Sequence, residues 1–71
     1  MAESVYKVIE LVGTSNESWE KAAAAAIDRA SQTLRDLRVA RVTEQDIHIE
    51  AGKALTYRVR LEVSFKYEGG A

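Results

Sequence analysis

Cysteine and proline are both absent, and there is a single histidine, a single tryptophan and only four glycines in 71 residues. Without cysteine there is no disulfide framework and no thiolate metal site. One histidine cannot build a histidine-rich centre, and zinc chemistry in particular lacks a first shell. The lack of proline and of any Gly/Ser-rich linker implies one uninterrupted domain over 1–71. No apolar run reaches the roughly 18 residues of a membrane span. Residues Met1 to Val8 show no basic start leading into an apolar run, so no signal peptide is expected and the location expected is cytoplasmic. The formal charge is −1, which gives no broad basic field for nucleic acid. A chain this short stands near the lower limit of what one core stabilises. With disulfides and metal set aside, self-association is the remaining staple.

The clearest positive signal is the stretch from Leu55 to Tyr67. Leu55, Tyr57, Val59, Leu61, Val63, Phe65 and Tyr67 alternate with Thr56, Arg58, Arg60, Glu62, Ser64 and Lys66. A period of two held that long predicts a strand with one packed face. At the other end, residues 4–13 read as a strand that is largely apolar on both faces, with Val5, Ile9 and Leu11 on one side and Tyr6, Val8 and Val12 on the other. Such a strand is either central or has its second face covered by another subunit. Gly13 is expected to end it.

Thr14 with Glu17 matches a capping box, and Ser15 or Asn16 could cap instead, so a helix is predicted over about 16–37. Trp19, Ala23, Ala26, Ile27, Ala30, Leu34 and Leu37 recur at spacings of three and four. The run Ala22 to Ala26 allows close approach to a sheet. Glu17 and Lys21 are placed to pair one turn apart, with Arg35 near the expected end. Residues 38–50 form a second strand whose inward parity changes within Thr43–Asp46, which predicts a bulge. Ala51–Gly52–Lys53 turns the chain into the last strand, about 54–67. The expected fold is α+β: a β-α-β-β chain, a three-stranded antiparallel sheet of order 1-3-2 on one long helix, with one sheet face bare. Glu68 to Ala71 are expected to fray.

Two groups of polar residues invite a chemical reading. Asp46, His48 and Glu50 alternate along one strand, the pattern of a solvated face, with a cation site as the sharper alternative. Arg58, Arg60 and Lys66 form a basic row interrupted by Glu62. Guanidinium both forks to phosphate and stacks on rings, so an anionic or planar ligand is the functional reading, against salt bridges on a solvated face. No nucleophile–base pair, Gly-rich phosphate loop or paired catalytic acid is present, and an enzyme is not expected.

Tyr6-Lys-Val-Ile-Glu-Leu-Val-Gly-Thr-Ser15, the Ala-rich helix with Ala30-Ser-Gln-Thr-Leu-Arg-Asp-Leu37, the hairpin, and Leu61-Glu-Val-Ser-Phe65 together resemble the dodecins, small flavin-binding proteins. The resemblance covers about residues 5–67. It implies that twelve copies close into a hollow shell that binds riboflavin, or the nucleotides FMN and FAD, to store and quench them. Partners are then copies of the chain and a flavin, not nucleic acid or membrane. The family's usual stacking Trp falls on Val39 and its usual Gln on Arg58, so both flavin-facing positions differ. Arg38 borders the space a Trp would need. Glu44 matches a position that reaches the ribityl chain in some members, and Lys66 one that can meet a phosphate. The resemblance therefore implies a flavin site of Val39, Arg58, Arg38, Glu44 and Lys66, with altered selectivity. The alternative is a dodecameric structural or anion-binding shell that has lost flavin.

Overall fold

A computed structural model describes residues 3–67. The elements run β1 (Tyr6–Ser15), α1 (Trp19–Ser31), β2 (Leu37–Glu50) and β3 (Lys53–Lys66), and the sheet order is β1-β3-β2 with both pairings antiparallel. The β-α-β-β architecture expected from the sequence is the observed one. The expected fray at Glu68–Ala71 lies outside the described residues.

β3 is the central strand, and its alternation decides the layering. Val59, Leu61 and Val63 are almost completely buried beneath α1, joined by Ala22 and Ala26 from the helix. Residues directly opposite on antiparallel strands share a face. Ile9 opposite Val63 and Leu11 opposite Leu61 therefore extend the core across β1. Ala40 opposite Val63 and Val42 opposite Leu61 share this face on β2 but are exposed, beyond the reach of the helix. Among the described residues nothing covers the sheet face away from α1, so the apolar residues on the far side of β1, Tyr6, Val8 and Val12, are exposed.

Gly13 does not end β1. It lies inside the strand, opposite Val59, and is buried under the helix. A Cβ at this position would stand 2.1 Å from the Ala22 carbonyl oxygen. The glycine is needed for space: the helix backbone sits directly on the strand, and Ala22 and Ala26 are the small residues that permit it. β1 then continues through Thr14 and Ser15, which delays the helix. The N-cap is Ser18, whose hydroxyl accepts from the Lys21 N–H, and not Thr14, Ser15 or Asn16. Ser15 instead accepts from the Glu17 N–H in the turn that precedes the cap. The Glu17–Lys21 pair does form.

The helix also stops earlier than its apolar spacing suggests, at Ser31 and not Leu37. Ser31 turns its hydroxyl back onto the Asp28 carbonyl, the local competition that weakens a helix end. Asp36 then takes a positive φ of 60° and its carbonyl accepts from the Lys66 N–H. This swings Leu37 into the sheet, where it packs on the core from β2. Leu34 and Leu37 keep the helical spacing, but Leu34 lies past the helix, half-buried, and Leu37 reaches the core from a strand. The basic residue of the last turn is Arg29, with Arg35 beyond the helix.

The parity change in β2 is a register shift between Val42 and Glu44, with Thr43 as the extra residue. Its hydroxyl donates to the Arg60 carbonyl. Two further shifts flank it, between Leu37 and Val39 and between His48 and Ile49. The last of these separates Ile49 from Ile47: Ile47 lies opposite Tyr57 on the helix side, whereas Ile49 lies opposite Ala54 and is exposed. At the hairpin tip both Ala51 and Gly52 have positive φ, 52° and 77°, the pattern of a two-residue primed turn.

Two stability effects are expected. Gly13→Ala should destabilise by about 2–3 kcal/mol, because the added methyl must displace helix backbone. Its denaturation midpoint compared with wild type measures this. Ala51→Asn should stabilise by about 0.5–1 kcal/mol, since Asn tolerates the left-handed region that Ala resists. Thermal unfolding of the two proteins side by side gives the sign.

Candidate functional site

The sheet face away from α1 carries the even residues of β3. Read across β1-β3-β2, its rows are Val8–Ser64–Val39, Glu10–Glu62–Arg41, Val12–Arg60–Glu44 and Thr14–Arg58–Asp46. The bulge at Thr43 makes this arrangement possible. Without the extra residue, Glu44 and Asp46 would point to the helix side with Val42 and Ala40.

The charges on this face are paired within the protomer. Arg58 forks onto Asp46, Nε to Oδ1 at 2.7 Å and Nη2 to Oδ2 at 2.9 Å. Arg60 lies between two carboxylates, donating from Nε to Glu44 and from Nη1 to Glu10, each at 3.3 Å. Arg41 faces Glu62 at 3.7 Å. The Arg58 hydrogen bond and charge hold the Asp46 carboxyl below its usual range, and Asp46 in turn raises the Arg58 guanidinium. A depressed carboxyl pKa keeps the pair intact at neutral pH, and the pair opens only as pH falls through the lowered value. Both side chains are about half exposed, so the pair fixes geometry more than it stabilises.

Asp46 is also held from behind. The Trp19 indole N–H donates to the Asp46 carbonyl at 3.1 Å, and the indole packs edge-on against Tyr57 with centroids 5.3 Å apart. Trp19 is thus a packing and positioning residue. Arg58, Asp46, Arg60 and Glu44 surround a shallow cleft that Val12 and Val59 complete.

The five residues expected at the site fall into two groups. Arg58 and Glu44 share this cleft. Val39 lies opposite Ser64 and is 62% exposed, its carbonyl accepting from the Ser64 hydroxyl. Arg38 occupies the adjacent register shift, and with Val39 it borders a groove between α1 and β2 that includes Ile27 and Ala40. Lys66 is further along β3, opposite Tyr6. Ser64 and Arg58 are six residues apart, about 20 Å along an extended strand. One protomer therefore does not bring Val39 and Arg58 together. The sequence reading missed Asp46 as the partner of Arg58, and Arg60 with Glu10. The parity change it located in β2 was the signal that puts Asp46 beside Arg58.

Asp46, His48 and Glu50 do not form a row. Asp46 is taken by Arg58, and the shift after His48 places Glu50 opposite Lys53, on the other face. Among the described residues no group of three or more His, Asp or Glu stands together as a metal site. Nor is any helix among them long and apolar enough to cross a membrane.

Comparison with known proteins agrees with this architecture. The family model described as Dodecin matches residues 5–68. The calcium dodecin of Mycobacterium tuberculosis is 57% identical over 63 residues, covering 89% of each chain. A crystal structure of the M. tuberculosis protein, described as a calcium-chelating antigen with a novel calcium-binding site, superposes with a TM-score of 0.83 over 96% of this chain and 97% of the other. A dodecin from Streptomyces coelicolor superposes with a TM-score of 0.93 at 38% identity, over 99% and 100% of the two chains. By sequence and by fold, this chain belongs to the dodecin family.

Proposed function

We propose that the protein closes into a homododecamer that holds a small ligand between subunits, as a binding protein and not a catalyst. The observation that carries this reading is the bare sheet face, on which Val8, Val12 and Val39 are each more than half exposed around a ladder of ion pairs. A monomer gains nothing from exposing those side chains, whereas a neighbouring copy would bury them. The separation of Val39 from Arg58 supports the same conclusion, because a site using both must draw them from different copies.

Calcium is the ligand this reading favours. The relative at 57% identity is named for calcium. The donors available here are oxygens, which suit a hard cation needing six to eight of them. One protomer supplies too few in one place, so the cation site would be completed by a neighbour. Flavin is the second reading, and family membership supports it. Val39 offers no π face, which forfeits about 0.5–1.5 kcal/mol of stacking. The fork of Arg58 already faces Asp46. Storage and photoprotection of riboflavin, FMN or FAD would then proceed with reduced affinity.

Mass measured under native conditions should give twelve chains at micromolar concentration, and a monomer or dimer would sink the shell. For the ligand, calorimetry with calcium and quenching of riboflavin fluorescence should be run on wild type and Val39→Trp. The calcium reading expects saturable heat with calcium and little quenching by wild type. The flavin reading expects quenching that tightens about fivefold in Val39→Trp, as one added stacking face worth roughly 1 kcal/mol implies.

A further inference from the structure

The cleft around Arg58 has a charge balance that its residue types alone do not show. Two guanidinium groups, Arg58 and Arg60, face the Glu44 and Asp46 carboxylates in the cleft lining, and Glu10 beside the cleft also pairs with Arg60, so the ion-pair cluster carries one negative charge in excess. Arg60 is divided between two of these acids. Arg58 presents its Nε and Nη2 edge, one of the two edges by which a guanidinium can fork to an anion, to Asp46. Asp46 cannot easily turn away: it sits in β2 directly opposite Arg58, and its backbone carbonyl is fixed by the Trp19 indole.

We propose that Asp46 is the specificity-determining residue of this cleft, setting the sign of charge it accepts. By neutralising Arg58 and occupying its Nε–Nη2 edge, Asp46 leaves the cleft without an uncompensated cation, so cations and neutral rings are admitted and anionic groups such as phosphate are turned away. The inference rests on the reading of the protein as a ligand-binding shell. An incoming phosphate would have to compete with a bidentate pair and lie beside the Glu44 and Asp46 carboxylates. A neutral ring meets no such opposition.

Asp46→Asn removes the charge while keeping the side chain's size and the backbone carbonyl that Trp19 holds. Riboflavin and FMN differ by one phosphate, and their affinity ratio reads the cleft's charge preference independently of ring binding. Wild type should bind riboflavin at least as tightly as FMN. Asp46→Asn should move the ratio about tenfold toward FMN, the scale of one charge-assisted hydrogen bond gained. Asp46→Asn/Arg58→Gln should return it to the wild-type value. A second probe does not depend on flavin at all: inorganic pyrophosphate, followed through the NMR signal of the Arg58 Nε–H. That signal should move in Asp46→Asn and stay still in wild type. An unchanged flavin ratio in Asp46→Asn would overturn the inference. So would a pyrophosphate response that wild type and Asp46→Asn share, or that neither shows. If no variant binds either flavin, the flavin reading fails by itself, and the pyrophosphate comparison alone decides whether Asp46 excludes anions.

Discussion

A helix of 13 residues rises about 20 Å, while strands of 14 residues run about 46 Å. This mismatch governs the rest of the molecule, whose extents are 55 × 21 × 16 Å. The helix covers the middle of β1 and β3 on one side only. It therefore seals a small core of Val59, Leu61 and Val63 and leaves the opposite face and the outer part of β2 open. The seal is possible because Gly13 and the alanines let backbone approach backbone. A small core on a long sheet is a poor monomer and a natural subunit.

The open face is not a uniform apolar surface. Its centre is a set of cross-strand ion pairs, with Val8 and Val39 toward one end and Val12 at the cleft. Exposed ion pairs of this kind contribute little to stability but fix where charge can sit. The register of β2 is what fixes them. Thr43 shifts the strand by one residue, so that the acids of β2 meet the arginines of β3, and the shift after His48 undoes that alignment beyond Asp46. The pairs that join Glu44 and Asp46 to the arginines of β3 are thus confined to the stretch between these two shifts, with Arg41–Glu62 just before the first.

Alternation in β3, the parity change in β2 and the apolar run of β1 were enough to find the three strands, and the β2–β3 hairpin with β3 in the middle gave the sheet order. These are local patterns with a period set by backbone geometry, so sequence carries them directly. The boundaries of the helix were not legible. Its apolar spacing runs on through Leu34 to Leu37, because a strand that follows can deliver Leu37 to the same core. Gly13 was read as a terminator since a glycine in a strand more often marks an end than a close approach. The residues at the expected site, Val39, Arg58, Arg38, Glu44 and Lys66, were placed through family likeness, and their division into two groups lies beyond any pattern along the chain.

Sequence alone determined the element order, the strand faces and the need for neighbours, because hydrophobic period and chain length act locally and additively. Tertiary structure alone decided that Arg58 belongs to Asp46, that Arg60 is shared by Glu10 and Glu44, and that Gly13 carries the helix. The first depends on the register of the β2–β3 hairpin, the second on that register and on the pairing of β1 with β3, and the third on where the helix packs. A single inserted residue in β2 reassigns every partner beyond it.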